Sequence, residues 1–262
     1  MRIALFDSGI GGLTVLSHAR RVLPSEEFIF FADRDHVPYG SKSVPAVRGY
    51  VREAFRFLIE KQRADAVVVA CNTATSVAVD EMRRLYEVPI IGMEPAVKRA
   101  LDLDGSRRVL VAATPVTVKG EKLRLLLSRI DRRHLVDCIA LPRLVTFAER
   151  EEFRSESVTG YLREALAPFR LEDYSAFVLG CTHFNYFKDT LRALLPTNVR
   201  FVDGNAGAVR ELIHELGGEA ALPQAGESRT RCYYSGRPVT DKATLAHIAR
   251  CMKRLDEVYA LA

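Results

Sequence analysis

Two cysteines stand in matched surroundings. Asp65–Ala74 reads DAVVVACNTA and Tyr174–Phe184 reads YSAFVLGCTHF: an apolar strand, a small residue, a cysteine, a polar pair, then a helical pattern. Cys71 is followed by Asn72 and Thr73, and Cys181 by Thr182 and His183. A helix N-terminus offers unpaired N–H groups and partial positive charge, so it favours both a thiolate and a substrate carboxylate. One cysteine of this kind would more simply be a small packed residue. Two in matched contexts reverse that reading and point to a functional pair of thiols. His183 is either a structural cap or a group that tunes the adjacent thiol. Cys-x-His is half of a metal site, and no second pair at zinc spacing follows it. Cys138, Cys232 and Cys251 have no comparable setting.

Other groups join these two by position. Asp7-Ser8 follows the first apolar run, with Gly9, Gly11 and Gly12 loosening the turn. A dinucleotide fingerprint would need a third glycine where Thr14 stands. Asp7 either caps a turn or lies near Cys71 at the same sheet edge. In the loop around Tyr39 and Gly40, backbone N–H groups could hold a carboxylate. Thr114 and Thr117 end another strand and could supply hydroxyls. Glu149, after LPRLVTFA, is either a helix-start carboxylate or an active-site acid.

The elements that must position these groups alternate: short apolar runs with longer amphipathic segments, the pattern of a parallel α/β sheet. The clearest strands are Ile3–Phe6, Glu27–Ala32, Ala66–Ala70, Pro89–Gly92, Val109–Ala113, Ala176–Gly180 and Arg200–Val202. Helices are expected over Val44–Lys61, Thr73–Tyr86, Val118–Ser128, Ser155–Ala167 and Phe187–Leu195. The openings Ala4–Gly9 and Val109–Thr117 form a second matched pair, as a duplicated domain would produce. Ligands of open α/β sheets bind at the C-terminal strand edges, where both cysteines fall. With 262 residues there is room for two domains: 1–97 plus 207–262, and 98–206, with the site in the cleft between them.

Composition narrows the class. Hydrophobic residues at 48 % suffice for real cores. The net charge of +5 is spread along the chain without a basic stripe, which argues against nucleic acid. No apolar run approaches the roughly 18 residues of a membrane span, and the N-terminus reads as a strand rather than an export signal. Five cysteines without a CxxC pair fit a reducing cytoplasm better than a disulfide framework.

With these residues in view, the sequence closely resembles the bacterial glutamate racemases. The matching motifs are FDSGIGGLTV (6–15), VPYGSKS (37–43), VVACNTATSVA (68–78), PIIGMEPAVKRA (89–100), VLGCTHFNY (178–186) and FVDGNAGA (201–208). The resemblance implies a cofactor-independent racemase of two pseudo-symmetric α/β domains. It makes Cys71 and Cys181 the acid/base thiols, facing the D- and L-enantiomer respectively, with Asp7 and His183 assisting beside them. Asp7-Ser8, Tyr39-Gly40, Asn72-Thr73 and Thr182-His183 correspond to substrate-binding pairs, and Glu149 to an acidic position. Two places depart from the family pattern. LPRLVTFAE lacks the usual first cysteine and LVE ending, and the usual DTARVPYG is here DRDHVPYG, which puts Arg34 and His36 near the pocket entrance.

Racemisation removes the α-hydrogen on one face and supplies one on the other, which two fixed bases do without moving. Thiols are mostly protonated at neutral pH, and helix N-termini and His183 are expected to lower them. The function expected is therefore interconversion of L- and D-glutamate without metal or cofactor, by a cytoplasmic protein that supplies D-glutamate for peptidoglycan, with a homodimer as the candidate assembly. The rivals are a racemase of aspartate or another small amino acid, and a non-catalytic small-molecule binder.

Overall fold

The computed structural model describes residues 1–218 and 228–261; residues 219–227 and 262, within the expected first domain, lie outside the described residues. Two sheets form. The first has the order β10-β9-β2-β1-β3-β4, with β1 (Arg2–Asp7), β2 (Glu27–Ala32), β3 (Ala66–Val69), β4 (Ile90–Gly92), β9 (Arg229–Tyr234) and β10 (Arg237–Pro238). The second is β6-β5-β7-β8, with β5 (Arg108–Ala113), β6 (Val136–Ala140), β7 (Tyr174–Leu179) and β8 (Arg200–Val202). All described pairings are parallel except β9 with β10.

The orders β2-β1-β3-β4 and β6-β5-β7-β8 are the same: the first strand is central, flanked by the second and third. That is the pseudo-symmetry expected of a duplicated α/β unit. β3 and β7 are equivalent strands, and each cysteine lies two residues beyond its strand's end. Their Val, Phe and Leu runs are buried on both faces, as central parallel strands require.

Alternate residues of β1 enter different cores. Ala4 and Phe6 pack with α2 (Val44–Phe55) and α3 (Asn72–Leu85) through Val47, Phe55, Ala78 and Met82. Ile3 and Leu5 join a core that continues into the second sheet through Leu110, Phe177 and Leu179, and into α7 (Pro142–Glu149), α8 (Glu156–Leu166) and α11 (Lys242–Val258). One apolar body thus links the two sheets. α4 (Val97–Leu103), after β4, packs on β5 and β7, whereas α10 (Asn205–Glu215), after β8, returns to α1 (Leu13–Val22).

Several elements depart from the sequence expectation. β6 and β9 were not expected as strands; they carry half-exposed and charged residues, so neither offers a continuous apolar run. The helix expected over Val118–Ser128 is broken at Gly120 into α5 (Pro115–Val118) and α6 (Glu121–Ile130). A turn of π-helix, Arg56–Lys61, ends the helix that starts at Val44. After Cys181 the chain winds as a 3-10 segment, Thr182–Phe187, before the short α9 (Lys188–Arg192). Among the described residues no helix is long and apolar enough to cross a membrane.

Arg254 of α11, 5 % exposed, ties this 3-10 segment down. Its Nη2 donates to the Tyr186 carbonyl at 2.7 Å and its Nη1 to Asp189 at 2.9 Å. Arg254→Met leaves a buried carbonyl without its donor and weakens the Asp189 pair. The expected loss is about 2–3 kcal/mol of unfolding free energy, measured by urea titration.

Candidate active site

Both thiols are buried at the ends of their equivalent strands, each 6 % exposed, yet their surroundings differ. Cys71 is the N-cap of α3 and its sulfur accepts from Ala74 N–H at 3.5 Å, as expected of a helix start. Its thiol also donates to Ser8 Oγ at 3.7 Å. The expectation that the helix N-terminus lowers this thiol fails. Burial, and then the Asp7 carboxylate, push Cys71 well above the ordinary thiol range, and the Ala74 bond does not compensate. Cys71 therefore rests as a protonated thiol. Cys181 heads a 3-10 segment and makes no capping bond; its sulfur instead faces His183 Nδ1 at 3.8 Å.

His183 is held from its far side. Its Nε2 lies 2.7 Å from Glu149 Oε1, and the same oxygen accepts from Ile10 N–H at 2.8 Å. Burial disfavours an imidazolium here, but the hydrogen bonds and charges of Cys181 and Glu149 outweigh it and raise His183 well above its usual range. Burial likewise opposes ionisation of Glu149, yet His183, followed by Arg34 and Ile10 N–H, brings it below the usual glutamate value. The pair is thus an imidazolium and a carboxylate, and a cation lies against the Cys181 sulfur.

Asp7 sits between the halves. Its Oδ1 accepts from Ser8 Oγ and Gly9 N–H, both at 3.2 Å, and its Oδ2 accepts from Thr182 Oγ1 at 2.8 Å. Burial raises its carboxyl, partly offset by His183 and Thr182. Asp7 thereby touches the neighbours of both cysteines rather than Cys71's alone. Thr73, Thr114 and Thr117 form a hydroxyl ladder from one half to the other, with steps of 2.8 and 3.1 Å.

Some expected site residues have side chains committed elsewhere. The Tyr39 hydroxyl donates to Asp33 at 2.6 Å, and its ring packs in the first core, so its backbone is what a substrate would meet. Asn72 Nδ2 donates to the Met93 carbonyl at 3.0 Å. Gly40 lies against Thr114, where a Cβ would come within 2.6 Å of Thr114 Cβ. His36 is not at the thiols: it bonds Asp33 and stacks on Tyr50 with ring centroids 3.8 Å apart. Arg34 does turn inward, its Nη1 3.6 Å from Glu149 Oε2.

The glycine-rich turn has a role the sequence reading did not find. A Cβ on Gly9 would fall on the Glu149 carboxylate, and one on Gly11 on His183 and Thr182. These glycines let the first-sheet turn press against Glu149, His183 and Thr182 of the second half. The missing third glycine was the available signal that the turn is not a phosphate cradle. A cleft of about 1000 Å³ opens next to Gly40, between Ser76 and Asp80 on one side and Pro115, Lys119 and Lys122 on the other; neither thiol lines it.

The description "Asp/Glu/Hydantoin racemase" belongs to a family whose model matches residues 14–212. A glutamate racemase of Campylobacter curvus is 50 % identical over 98 % of each chain. A glutamate racemase of Thermus thermophilus, solved with β-chloro-D-alanine, is 31 % identical with a TM-score of 0.77, covering 96 % of this chain and 92 % of that one. An Escherichia coli glutamate racemase, solved with L-glutamate and the activator UDP-MurNAc-Ala, is 28 % identical with a TM-score of 0.80, covering 95 % and 94 % respectively.

Proposed function

Since this chain belongs to the Asp/Glu/hydantoin racemase family, we propose that it moves the α-proton of its substrate between Cys71 and Cys181, one thiol on each face. The reaction is the interconversion of L- and D-glutamate, the activity named for relatives that match along almost the whole chain. The observation that carries the mechanism is the pair of buried sulfurs at the ends of the equivalent strands β3 and β7.

From L-glutamate, the Cys181 sulfur takes the α-proton and the His183 imidazolium beside it offsets the charge of the thiolate. The Cys71 thiol, kept protonated by burial and by Asp7, delivers its proton to the opposite face. The product is D-glutamate, with a thiol at Cys181 and a thiolate at Cys71, which is the starting form for the reverse direction. A positioned acid or base contributes ~10²–10⁴-fold. Donors aimed at the developing carboxylate charge and exclusion of water supply the larger part; the threonine ladder and the N–H groups of the first α3 turn are placed for this. Entry of a substrate to thiols this buried needs the halves 1–97 plus 207–262 and 98–206 to part and close. Five free cysteines agree with a reducing cytoplasm, where D-glutamate would feed peptidoglycan. A homodimer is compatible with the same site.

Circular dichroism of L- and D-glutamate tests the activity. Protein dialysed exhaustively against chelator is expected to bring both to zero rotation at an undiminished rate, and to leave L-aspartate essentially unchanged. Loss of activity on chelation, restored by one metal, would overturn the cofactor-free mechanism.

A further inference from the structure

We propose that Arg34 is a positioning residue for the Cys181 side of the reaction: anchored from behind by His247 and Glu151, its guanidinium holds the second oxygen of Glu149 and, through it, the orientation of His183. This rests on the two-thiol reading above. Glu149 Oε1 is fully engaged by Ile10 and His183, but Oε2 is buried without a hydrogen-bond donor. A buried carboxylate oxygen in that state is costly, and the cation that answers it is Arg34 Nη1 at 3.6 Å. With Arg34 28 % and Glu149 10 % exposed, the pair is much less screened than one on the surface.

Arg34 is itself fixed. Its Nη1 lies 2.9 Å from His247 Nε2, and its guanidinium stands 5.2 Å over the Tyr234 ring. His247 Nδ1 faces Glu151 Oε1 at 2.7 Å, and Glu151 is gripped by Arg250 at 2.6 and 2.7 Å. Because Nδ1 meets a carboxylate, it donates, which leaves Nε2 as the lone pair that accepts from Arg34. Arg250 and His247 thus both donate to Glu151, Arg34 donates to His247 and pairs with Glu149, and His183 stands between Glu149 and Cys181, so a continuous line of polar contacts joins α11 to the thiol. Glu151, His247 and Cys251 also place candidate metal-ligand atoms within 4.8 Å of one another, but both His247 nitrogens are engaged in this line. In the family pattern read from the sequence, threonine stands where this chain has Arg34.

The groups facing Glu149 are His183, Arg34, Asp7, Tyr186, Tyr234 and Cys251. Of these, His183 and Arg34 are the cations that keep it ionised. Removing Arg34 raises the proton affinity of Glu149, so the functional carboxylate appears only at higher pH.

The test compares Arg34→Gln, Arg34→Lys and His247→Gln in the full chain by kcat and KM against pH from each enantiomer. Arg34→Gln is expected to move the acid limb of kcat/KM up by about one pH unit, a tenfold change in proton affinity, equally in both directions, with KM little changed. Arg34→Lys restores the limb, and His247→Gln moves it the same way by less. If Arg34→Gln does not fold, the His247→Gln shift decides. An unmoved acid limb, or a raised KM with the limb in place, which would make Arg34 a substrate contact, overturns the proposal. A Cys181→Ala protein that still racemises would instead overturn the two-thiol reading, whatever Arg34 does.

Discussion

Cys71→Ala and Cys181→Ala are each expected to abolish racemisation from both enantiomers, because every turnover needs an acceptor on one face and a donor on the other. The loss should be at least the ~10²–10⁴-fold typical of one general acid or base, since each variant lacks the proton donor or acceptor of one whole face. Cys138→Ala, half-buried on the edge strand β6, is expected to leave kcat/KM unchanged. In deuterated water the two-thiol mechanism has a further signature. The incoming hydrogen comes from the thiol opposite the abstracting one, which has already exchanged with solvent. Early product from either enantiomer should carry α-deuterium while recovered substrate carries little. A single mobile base would return protium to a sizeable share of product. A single-cysteine variant racemising near the wild-type rate would sink the mechanism.

Gly11→Ala is expected to cut kcat/KM by about 10²-fold or more, the effect of displacing a catalytic group by around 1 Å. The added methyl would stand 2.7 Å from His183 Cε1 and closer still to Nδ1, so the imidazole must leave its place between Cys181 and Glu149. Overpacking in this buried contact should also cost about 1–3 kcal/mol of stability. Gly160→Ala is the control: it lies in α8 with nothing within 4 Å of the new methyl. That change should add roughly 0.5–1 kcal/mol of stability and leave the rate alone. A Gly11→Ala enzyme with the wild-type rate would show that His183 has no fixed position to lose. Melting temperature together with kcat/KM for both variants separates the two effects.

How much of this was legible in the sequence depended on the range of the interaction. β2 and β8 have the limits read from the sequence, and β1, β3, β4, β5 and β7 differ by a residue or two at their ends, because buried parallel strands need continuous apolar runs that one stretch of sequence displays. β6 and β9 did not stand out, since a half-exposed strand is defined by the neighbour it pairs with. The break at Gly120 was similarly hidden inside an otherwise helical pattern. Arg34 and His36 looked alike as unusual residues in one loop; only packing sends one to Glu149 and the other to Tyr50.

The sequence by itself determined that two equivalent strands end in cysteine, and hence that two thiols are offered by two similar halves. Strand, cysteine and cap are neighbours in the chain, so their geometry follows from local backbone preference. Only the tertiary structure decided that the thiols are unequal. Cys71 is opposed by a buried carboxylate, whereas Cys181 faces a histidine held as a cation by Glu149. Asp7 reaches Thr182 across 175 positions of chain, and Glu149 reaches Ile10 across 139. Proton affinity at a buried site depends on desolvation and on charges a few ångströms away, and packing of the two halves, not sequence spacing, sets both.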